Sequence, residues 1–197
     1  VIWYRKAAEQ GSKDAQYYLA DLYFLGNGVT QSNEEAAKWW RKSAEQGSDK
    51  AQVKLATLYY KGLGVTQSNE ETVKWSLKSA EQGNAEAQLL LGLLYKYGLG
   101  VTQNYEETAK LWRKSADQGN VQAQFLLGTL YYDGNGLPQS YEEAAKWYKK
   151  SAEQGYVLGQ VNLAHLYFDG KGVSQSDEEA AKWYLSAAEN GNDAAQF

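Results

Sequence analysis

The chain has 197 residues, of which 43% are hydrophobic and 22% charged, and these fractions are typical of globular proteins rather than disordered ones. Its formal net charge of −4 provides no basic field, so nucleic-acid backbones and anionic membrane surfaces are poor partners. Because cysteine is absent, disulfides, thiolate nucleophiles and Cys-ligated metals are excluded. No apolar run approaches the roughly 20 residues that span a bilayer, so we expect no membrane insertion.

The sequence repeats itself every 36 residues along its whole length, which indicates one array of repeated helical units. A half repeat, five full repeats and the start of another follow one another: 1–14, 15–50, 51–86, 87–122, 123–158, 159–194 and 195–197. The chain begins inside a repeat and contains no methionine. We therefore expect a single array that is a fragment of a longer protein.

The first half of each repeat has the pattern of an amphipathic helix. Leucine recurs at the fifth and eighth places, followed by tyrosine at the ninth, and Ala or Gly fills the first and sixth places. This spacing produces one broad apolar stripe, which we expect to be core. A glycine then ends the helix in each repeat, as is common where a left-handed residue follows a helix: Gly26, Gly62, Gly98, Gly134 and Gly170.

The second half of each repeat begins with the signature of a capping box, a Ser or Asn followed three places later by Glu. The pairs are Ser32/Glu35, Ser68/Glu71, Asn104/Glu107, Ser140/Glu143 and Ser176/Glu179. Another Glu lies four places before a Lys, as in Glu34/Lys38, which predicts an ion pair on a solvated face. We expect tryptophan to supply the large core residue of this helix, at Trp39, Trp75, Trp147 and Trp183. In the third full repeat Leu111 occupies that place.

These motifs resemble those of a known family. The run Ala-Gln-x-x-Leu-Ala/Gly-x-Leu-Tyr, then Gly-x-Gly-Val-x-Gln, Ala-x-x-Trp and Ala-Glu-Gln-Gly is similar to the Sel1-like repeat of bacterial proteins. The resemblance implies an all-α fold, a right-handed superhelical α/α solenoid of helix–turn–helix units like tetratricopeptide arrays. It also implies a non-catalytic scaffold or adaptor that binds a partner protein or peptide and needs no cofactor.

The resemblance further implies where such a protein works. Bacterial members of the family are often periplasmic, secreted or located at the cell surface. Several act in signalling or in contact with host proteins such as immunoglobulins. The sequence itself leaves the localisation open.

The sequence contains few candidates for chemistry. His165 is the single histidine, and without a cysteine or a second histidine it provides neither a catalytic triad nor a metal cluster. The Gly-x-Gly turns lack the strand-to-helix context of a phosphate loop, and neighbouring carboxylates such as Glu34 and Glu35 point about 100° apart on a helix. The aromatic residues are not accompanied by a basic stripe, which argues against nucleic-acid binding.

Positions that are the same in every repeat are expected to maintain the fold. Positions on one helix face whose residue varies from repeat to repeat are therefore available to recognise a partner. The third, seventh and tenth places of the first helix share a face beside the core stripe, and in related solenoids the first helices line the concave wall. We call these residues the recognition face: Tyr17, Asp21, Phe24, Val53, Thr57, Tyr60, Leu89, Leu93, Lys96, Phe125, Thr129, Tyr132, Val161, His165 and Phe168. We expect its tenth-place aromatics to be the anchors: Phe24, Tyr60, Tyr132 and Phe168.

Other interpretations stay open from the sequence. The third and tenth places are also compatible with packing between repeats, and a fully buried recognition face would favour a purely structural or engineered spacer. A cell-wall hydrolase has only His165 and scattered carboxylates in its favour. Self-association through the array ends, at Trp3, Tyr4 and 195–197, is plausible because a solenoid end needs a polar cap.

Overall fold

The computed structural model describes residues 1–191, and the regular elements in that part of the chain are all α-helices. The chain divides into two compact units, Val1–Gln103 and Asn104–Phe197, which are described separately. Residues 195–197, predicted to start a further repeat and to form an end of the array, lie outside the described residues.

The first unit contains six helices. They are α1 (Ile2–Glu9), α2 (Lys13–Leu25), α3 (Asn33–Glu45), α4 (Asp49–Lys61), α5 (Asn69–Glu81) and α6 (Ala85–Tyr97). Helices α2 and α3 form one hairpin and α4 and α5 another, and each second helix also packs against the first helix that follows it. Stacking of this kind buries apolar stripes that a single hairpin would leave exposed.

The second unit is built in the same way. Its helices within the described residues are α7 (Tyr105–Asp117), α8 (Val121–Asp133), α9 (Tyr141–Glu153), α10 (Val157–Asp169) and α11 (Asp177–Glu189). Helices α8 and α9 form a hairpin, as do α10 and α11, while α7 packs on α8 and α9 on α10.

The predicted helix ends are confirmed. Each first helix from α2 to α10 ends at a left-handed glycine whose N–H donates to the leucine carbonyl four residues earlier. Each second helix from α3 onwards begins at the predicted Ser or Asn, whose side chain accepts from the backbone N–H three residues later.

Of the two hydrogen bonds of a capping box, only the one from the backbone N–H to the cap side chain is formed. The N–H of the cap residue is occupied by the preceding helix, because Ser32 donates to the Tyr23 carbonyl and Ser68 to the Tyr59 carbonyl. The glutamate is thereby left for other partners. Glu71, for example, accepts from the Trp75 indole at 3.0 Å.

The predicted ion pairs of the Glu34/Lys38 type are wrong in register. The lysine pairs instead with the glutamate three residues before it, at 2.6–3.3 Å, in Glu35/Lys38, Glu71/Lys74, Glu107/Lys110, Glu143/Lys146 and Glu179/Lys182. The reason is local, since Glu34 accepts from the Ser32 hydroxyl and Glu142 from Ser140. The pairs are exposed, so each contributes little to stability.

The predicted leucine stripe forms the core, with fifth-place leucines 0–2% exposed. The tryptophan prediction needs a correction. Trp39, Trp75 and Trp147 are buried, but Trp183 is only half-buried. The next place along the helix is buried more completely, at Trp40 (2%), Trp112 (0%) and Tyr148 (2%). Trp112 thus occupies the place that Trp40 has in its own repeat, one residue after Leu111.

A ladder of buried polar groups joins successive helices. The glutamine at the second place of each first helix donates to an alanine carbonyl at the end of the preceding second helix, as from Gln52 to Ala44 at 3.1 Å. The side chain of this glutamine accepts in turn from the glutamine at the end of the second helix of its own hairpin, as Gln52 does from Gln82 at 2.7 Å. Because these amides satisfy one another, they are accommodated between the helices without an unpaired group.

Helix α5 contains two buried serines whose replacement by alanine is expected to change the free energy of unfolding in opposite directions. The hydroxyl of Ser76 has no hydrogen-bond partner among the described residues, whereas Ser79 donates to the Asp49 carbonyl at 2.8 Å. An unsatisfied buried hydroxyl costs about 1–3 kcal/mol. We therefore expect Ser76→Ala to raise the free energy of unfolding by about 1 kcal/mol and Ser79→Ala to lower it by about as much. Urea denaturation of both variants measures this, and a loss of stability in Ser76→Ala would contradict it.

Candidate functional site

The recognition face lies on α2, α4, α6, α8 and α10 and is neither fully packed nor fully exposed. Val53 is buried, His165 and Phe168 are exposed, and the other twelve residues are half-buried. Some of these side chains also fill space, since the Phe125 ring lies 5.8 Å from the Tyr148 ring and 5.4 Å from the Tyr156 ring. Complete burial, the condition that would favour a spacer, is met only by Val53.

The first unit has a cavity of about 480 Å³ on this face. Four recognition-face residues line it, together with residues from the core and the rim: Tyr17, Asp21, Phe24, Leu25, Trp40, Lys54, Thr57, Leu58, Lys61 and Glu86. Its walls combine aromatic rings with charges of both signs. Such a mixture is common where a protein binds another protein.

Asp21 is the polar centre of this cavity. Its Oδ1 atom accepts a hydrogen bond from the Trp40 indole at 3.1 Å, and the Trp40 ring packs 5.3 Å from the ring of Phe24. Burial raises the pKa of the Asp21 carboxyl above its ordinary value, although the Trp40 hydrogen bond and the Lys54 charge oppose this. Burial, followed by the charge of Asp21, raises the pKa of Tyr17 to about 12.

The second unit has a corresponding cavity of about 290 Å³. Three recognition-face residues and three others line it: Thr129, Tyr132, His165, Asp133, Tyr148 and Asn162. The Tyr148 hydroxyl donates to Thr129 at 3.3 Å, as the Trp40 indole does to Asp21 in the first unit. The same pair of places therefore forms the floor of both cavities, with a carboxylate in one and a hydroxyl in the other.

Comparison with known proteins identifies the repeat. The Sel1 repeat profile matches residues 1–12, 13–48, 49–84, 85–120, 121–156 and 157–192. The chain belongs to the Sel1 repeat family. The predicted family and its all-α solenoid fold are therefore confirmed. Proteins of this family are generally protein-interaction scaffolds and generally not enzymes. A search of curated proteins finds no match for this chain.

Solved Sel1 structures share this fold. A protective antigen present in uropathogenic Escherichia coli strains is 40% identical, with a TM-score of 0.95 over 99% of this chain. A Sel1 repeat protein from Oxalobacter formigenes is 36% identical, with a TM-score of 0.88 over 94% of this chain. The chain spans 42% of the E. coli protein and 76% of the Oxalobacter protein.

Nine residues in the Sel1 cavities lie outside the predicted recognition face. They are Leu58 and Glu86 of the first cavity, the fourth place of the first helix (Lys54, Asn162), the eleventh place (Leu25, Lys61, Asp133) and the buried aromatic of the second helix (Trp40, Tyr148). A signal for the last group was available, because an aromatic follows the usual tryptophan place in four of the five full Sel1 repeats. The fourth and eleventh places also vary in charge from repeat to repeat.

The other eight residues of the recognition face line neither of these two cavities: Val53, Tyr60, Leu89, Leu93, Lys96, Phe125, Val161 and Phe168. Leu89, Leu93 and Lys96 lie half-buried on α6. At the first helix, Trp3 is 81% and Tyr4 43% exposed.

The single histidine of this Sel1 chain lies at the second cavity. His165 lies beside the Tyr184 ring, 5.5 Å away, on the exposed edge of the second cavity. Within residues 1–191 no three His, Asp or Glu side chains are grouped as a metal ion would require. No helix in the same range is long and apolar enough to cross a membrane.

Proposed function

We propose that this chain is a non-catalytic scaffold that binds a partner protein or peptide along the recognition face. One observation carries the proposal. The two cavities of about 480 and 290 Å³ occupy equivalent positions in two compact units, and both are lined mainly by places that vary among otherwise regular repeats. Regular places maintain the fold, so varying places that line a cavity are available for recognition.

The chemistry of the recognition face supports a protein ligand. Half-buried Phe24, Tyr60 and Tyr132 combine large apolar area with few rotatable bonds, and such residues are enriched among interface hot spots. Polar groups between them, such as Asp21 and Thr129, can orient a bound partner through hydrogen bonds. Charges of both signs line the first cavity, which suits a peptide better than a polyanion.

We further propose that the partner is a host protein met outside the cytoplasm, through a bacterial secreted, periplasmic or surface factor. The support comes from the relative that is a protective antigen present in uropathogenic E. coli strains, which is 40% identical over 99% of this chain. The chain spans only 42% of that protein, so the proposal concerns this segment of repeats.

A peptide selection tests the scaffold proposal. The immobilised chain is used to select binders from a displayed random-peptide library, and the affinity of selected peptides is then measured by biolayer interferometry. We expect Tyr60→Ala and Tyr132→Ala each to weaken binding about tenfold or more, because interface hot spots typically cost more than 1 kcal/mol on truncation. Tyr4→Ala is the matched control, since Tyr4 is exposed and lies outside the recognition face.

Two results would contradict the proposal. Unchanged affinity in both recognition-face variants would show that the peptides bind elsewhere. Failure of any peptide to be enriched on the wild-type chain would favour the spacer interpretation.

A further inference from the structure

The cavity around Asp21 holds a carboxylate that forms no ion pair with the described residues. Its carboxylate accepts from Trp40, which is an uncharged donor, and no Lys or Arg nitrogen within residues 1–191 lies within the 4 Å of an ion pair. Lys54 lines the same cavity and its charge lowers the pKa of the Asp21 carboxyl, but its Nζ atom pairs with Glu86 Oε2 at 3.8 Å. A half-buried carboxylate without a paired cation is costly, because the charge of Lys54 offsets only part of the hydration that burial removes.

The pKa of Asp21 is shifted in the direction that this geometry implies. Burial is the largest influence and raises the pKa of the carboxyl, so the charged form is disfavoured in the folded chain. For an acid whose folded-state pKa is raised, stability is lost as the pH rises through that pKa. Asp21 therefore opposes folding at neutral pH. A charge that the fold tolerates at such a cost, inside a cavity, is a candidate for ligand binding.

The walls of the cavity restrict the kind of cation that fits. Tyr17 and Phe24 are half-buried aromatic residues beside the carboxylate, and the charges that surround it are Lys54 and Lys61 on α4 and Glu86 on α6. A guanidinium group is planar and weakly hydrated, so it stacks on aromatic rings while its N–H groups donate to a carboxylate. An ammonium group is more strongly hydrated and lacks the planar fork.

We propose that the Asp21 cavity receives an arginine side chain of the partner peptide, with the carboxylate of Asp21 as its acceptor and Tyr17 and Phe24 as its aromatic walls. This inference rests on the proposed function and specifies its ligand chemistry. The second cavity is the internal contrast. It has Thr129 where the first has Asp21, and Asn162 where the first has Lys54.

The test uses two tripeptides of nearly the same shape, Ac-Gly-Arg-Gly-NH2 and the same peptide with citrulline, in which an uncharged ureido group replaces the guanidinium. Each is titrated into the full chain up to roughly 20 mM, because one side chain is expected to bind with a millimolar Kd. The reporter is the NMR signal of the Trp40 indole N–H, which donates to Asp21. We expect a saturable shift with the arginine peptide and none with citrulline. Absence of a saturable shift, or equal shifts with both peptides, would overturn the proposal.

Three variants sharpen the result. Asp21→Asn keeps an oxygen that accepts from Trp40 but removes the charge, so we expect about tenfold weaker arginine binding together with unfolding stability at pH 7 no lower than that of the wild type. Lys54→Met removes a competing cation and frees Glu86, so we expect binding a few-fold tighter. Thr129→Val is the control in the second cavity and should leave the Trp40 titration unchanged. An unaltered Kd in Asp21→Asn would overturn the proposal.

The outcome separates this inference from the scaffold proposal. If Tyr60→Ala weakens the selected peptides while the arginine tripeptide leaves Trp40 unaffected, the scaffold stands and the arginine pocket is wrong. If the tripeptide binds through Asp21 but no library peptide is enriched, the pocket stands and the extended recognition face is wrong.

Discussion

Replacing Trp40 with alanine lowers the free energy of unfolding by about 3–5 kcal/mol, the usual cost of removing a large buried aromatic side chain. The indole is 2% exposed, its ring packs against Phe24, and its N–H satisfies Asp21. Truncation leaves a void between α2 and α3 and also an unpaired carboxylate beside it. Both effects act in the same direction, so the loss is expected near the upper part of this range.

Trp3→Ala is the matched control for this prediction. Trp3 lies on α1 and is 81% exposed, so the same substitution there should change the free energy of unfolding by no more than about 0.5 kcal/mol. Urea denaturation followed by far-UV circular dichroism measures both variants without depending on tryptophan emission. Equal effects at the two positions would show that Trp40 is not a core residue.

Helix boundaries were predictable because the signals that set them are local. A serine or asparagine cap and a glycine that permits a positive φ act within one turn of the helix, and they recur at one spacing. Gly26 and Ser32 therefore have the roles that the sequence predicts for them. The leucine stripe was predictable for a similar reason, since its period alone identifies the buried face.

Side-chain partners were less predictable because they depend on what competes nearby. The residues three and four places before a lysine are both its neighbours on a helix, and the sequence does not distinguish them. The structure selects Glu35 for Lys38 because Glu34 accepts from the Ser32 hydroxyl. In the same way, the carbonyl of Tyr23 takes the N–H of Ser32 that a capping box would give to glutamate.

The candidate site was predicted as a face but not as cavities. Spacing on one helix identifies residues that share a direction, and residues at the seventh and tenth places line both cavities, joined by the third-place Tyr17 in the first. Cavity depth, however, is set by the second helix, where Trp40 in one unit and Tyr148 in the other form the floor. That contact joins residues 19 apart in sequence across a hairpin, which a single-helix pattern does not contain.

Gly64→Ala is expected to destabilise the first unit through two separate effects. The backbone at Gly64 has φ +68°, in the left-handed region that costs a residue with a Cβ atom roughly 1–2 kcal/mol. An added Cβ atom would also lie 2.3 Å from the carbonyl carbon of Asn33 and 2.6 Å from the amide nitrogen of Glu34. These are backbone atoms in the first turn of α3, so they cannot rotate away. Overpacking of this kind typically costs a further 1–3 kcal/mol. Together the two effects are expected to lower the free energy of unfolding by about 2–5 kcal/mol.

Gly47→Ala separates the two effects. Gly47 has φ +86°, but a Cβ atom there would meet nothing within 4 Å, so only the conformational cost remains. We expect Gly64→Ala to exceed Gly47→Ala by about 1–3 kcal/mol in urea denaturation. The difference measures how tightly the Gly-x-Gly turn of one repeat packs on the helix start of the repeat before it. If the two variants lose equal stability, the turn glycine serves backbone conformation alone, and close packing between neighbouring repeats does not require it.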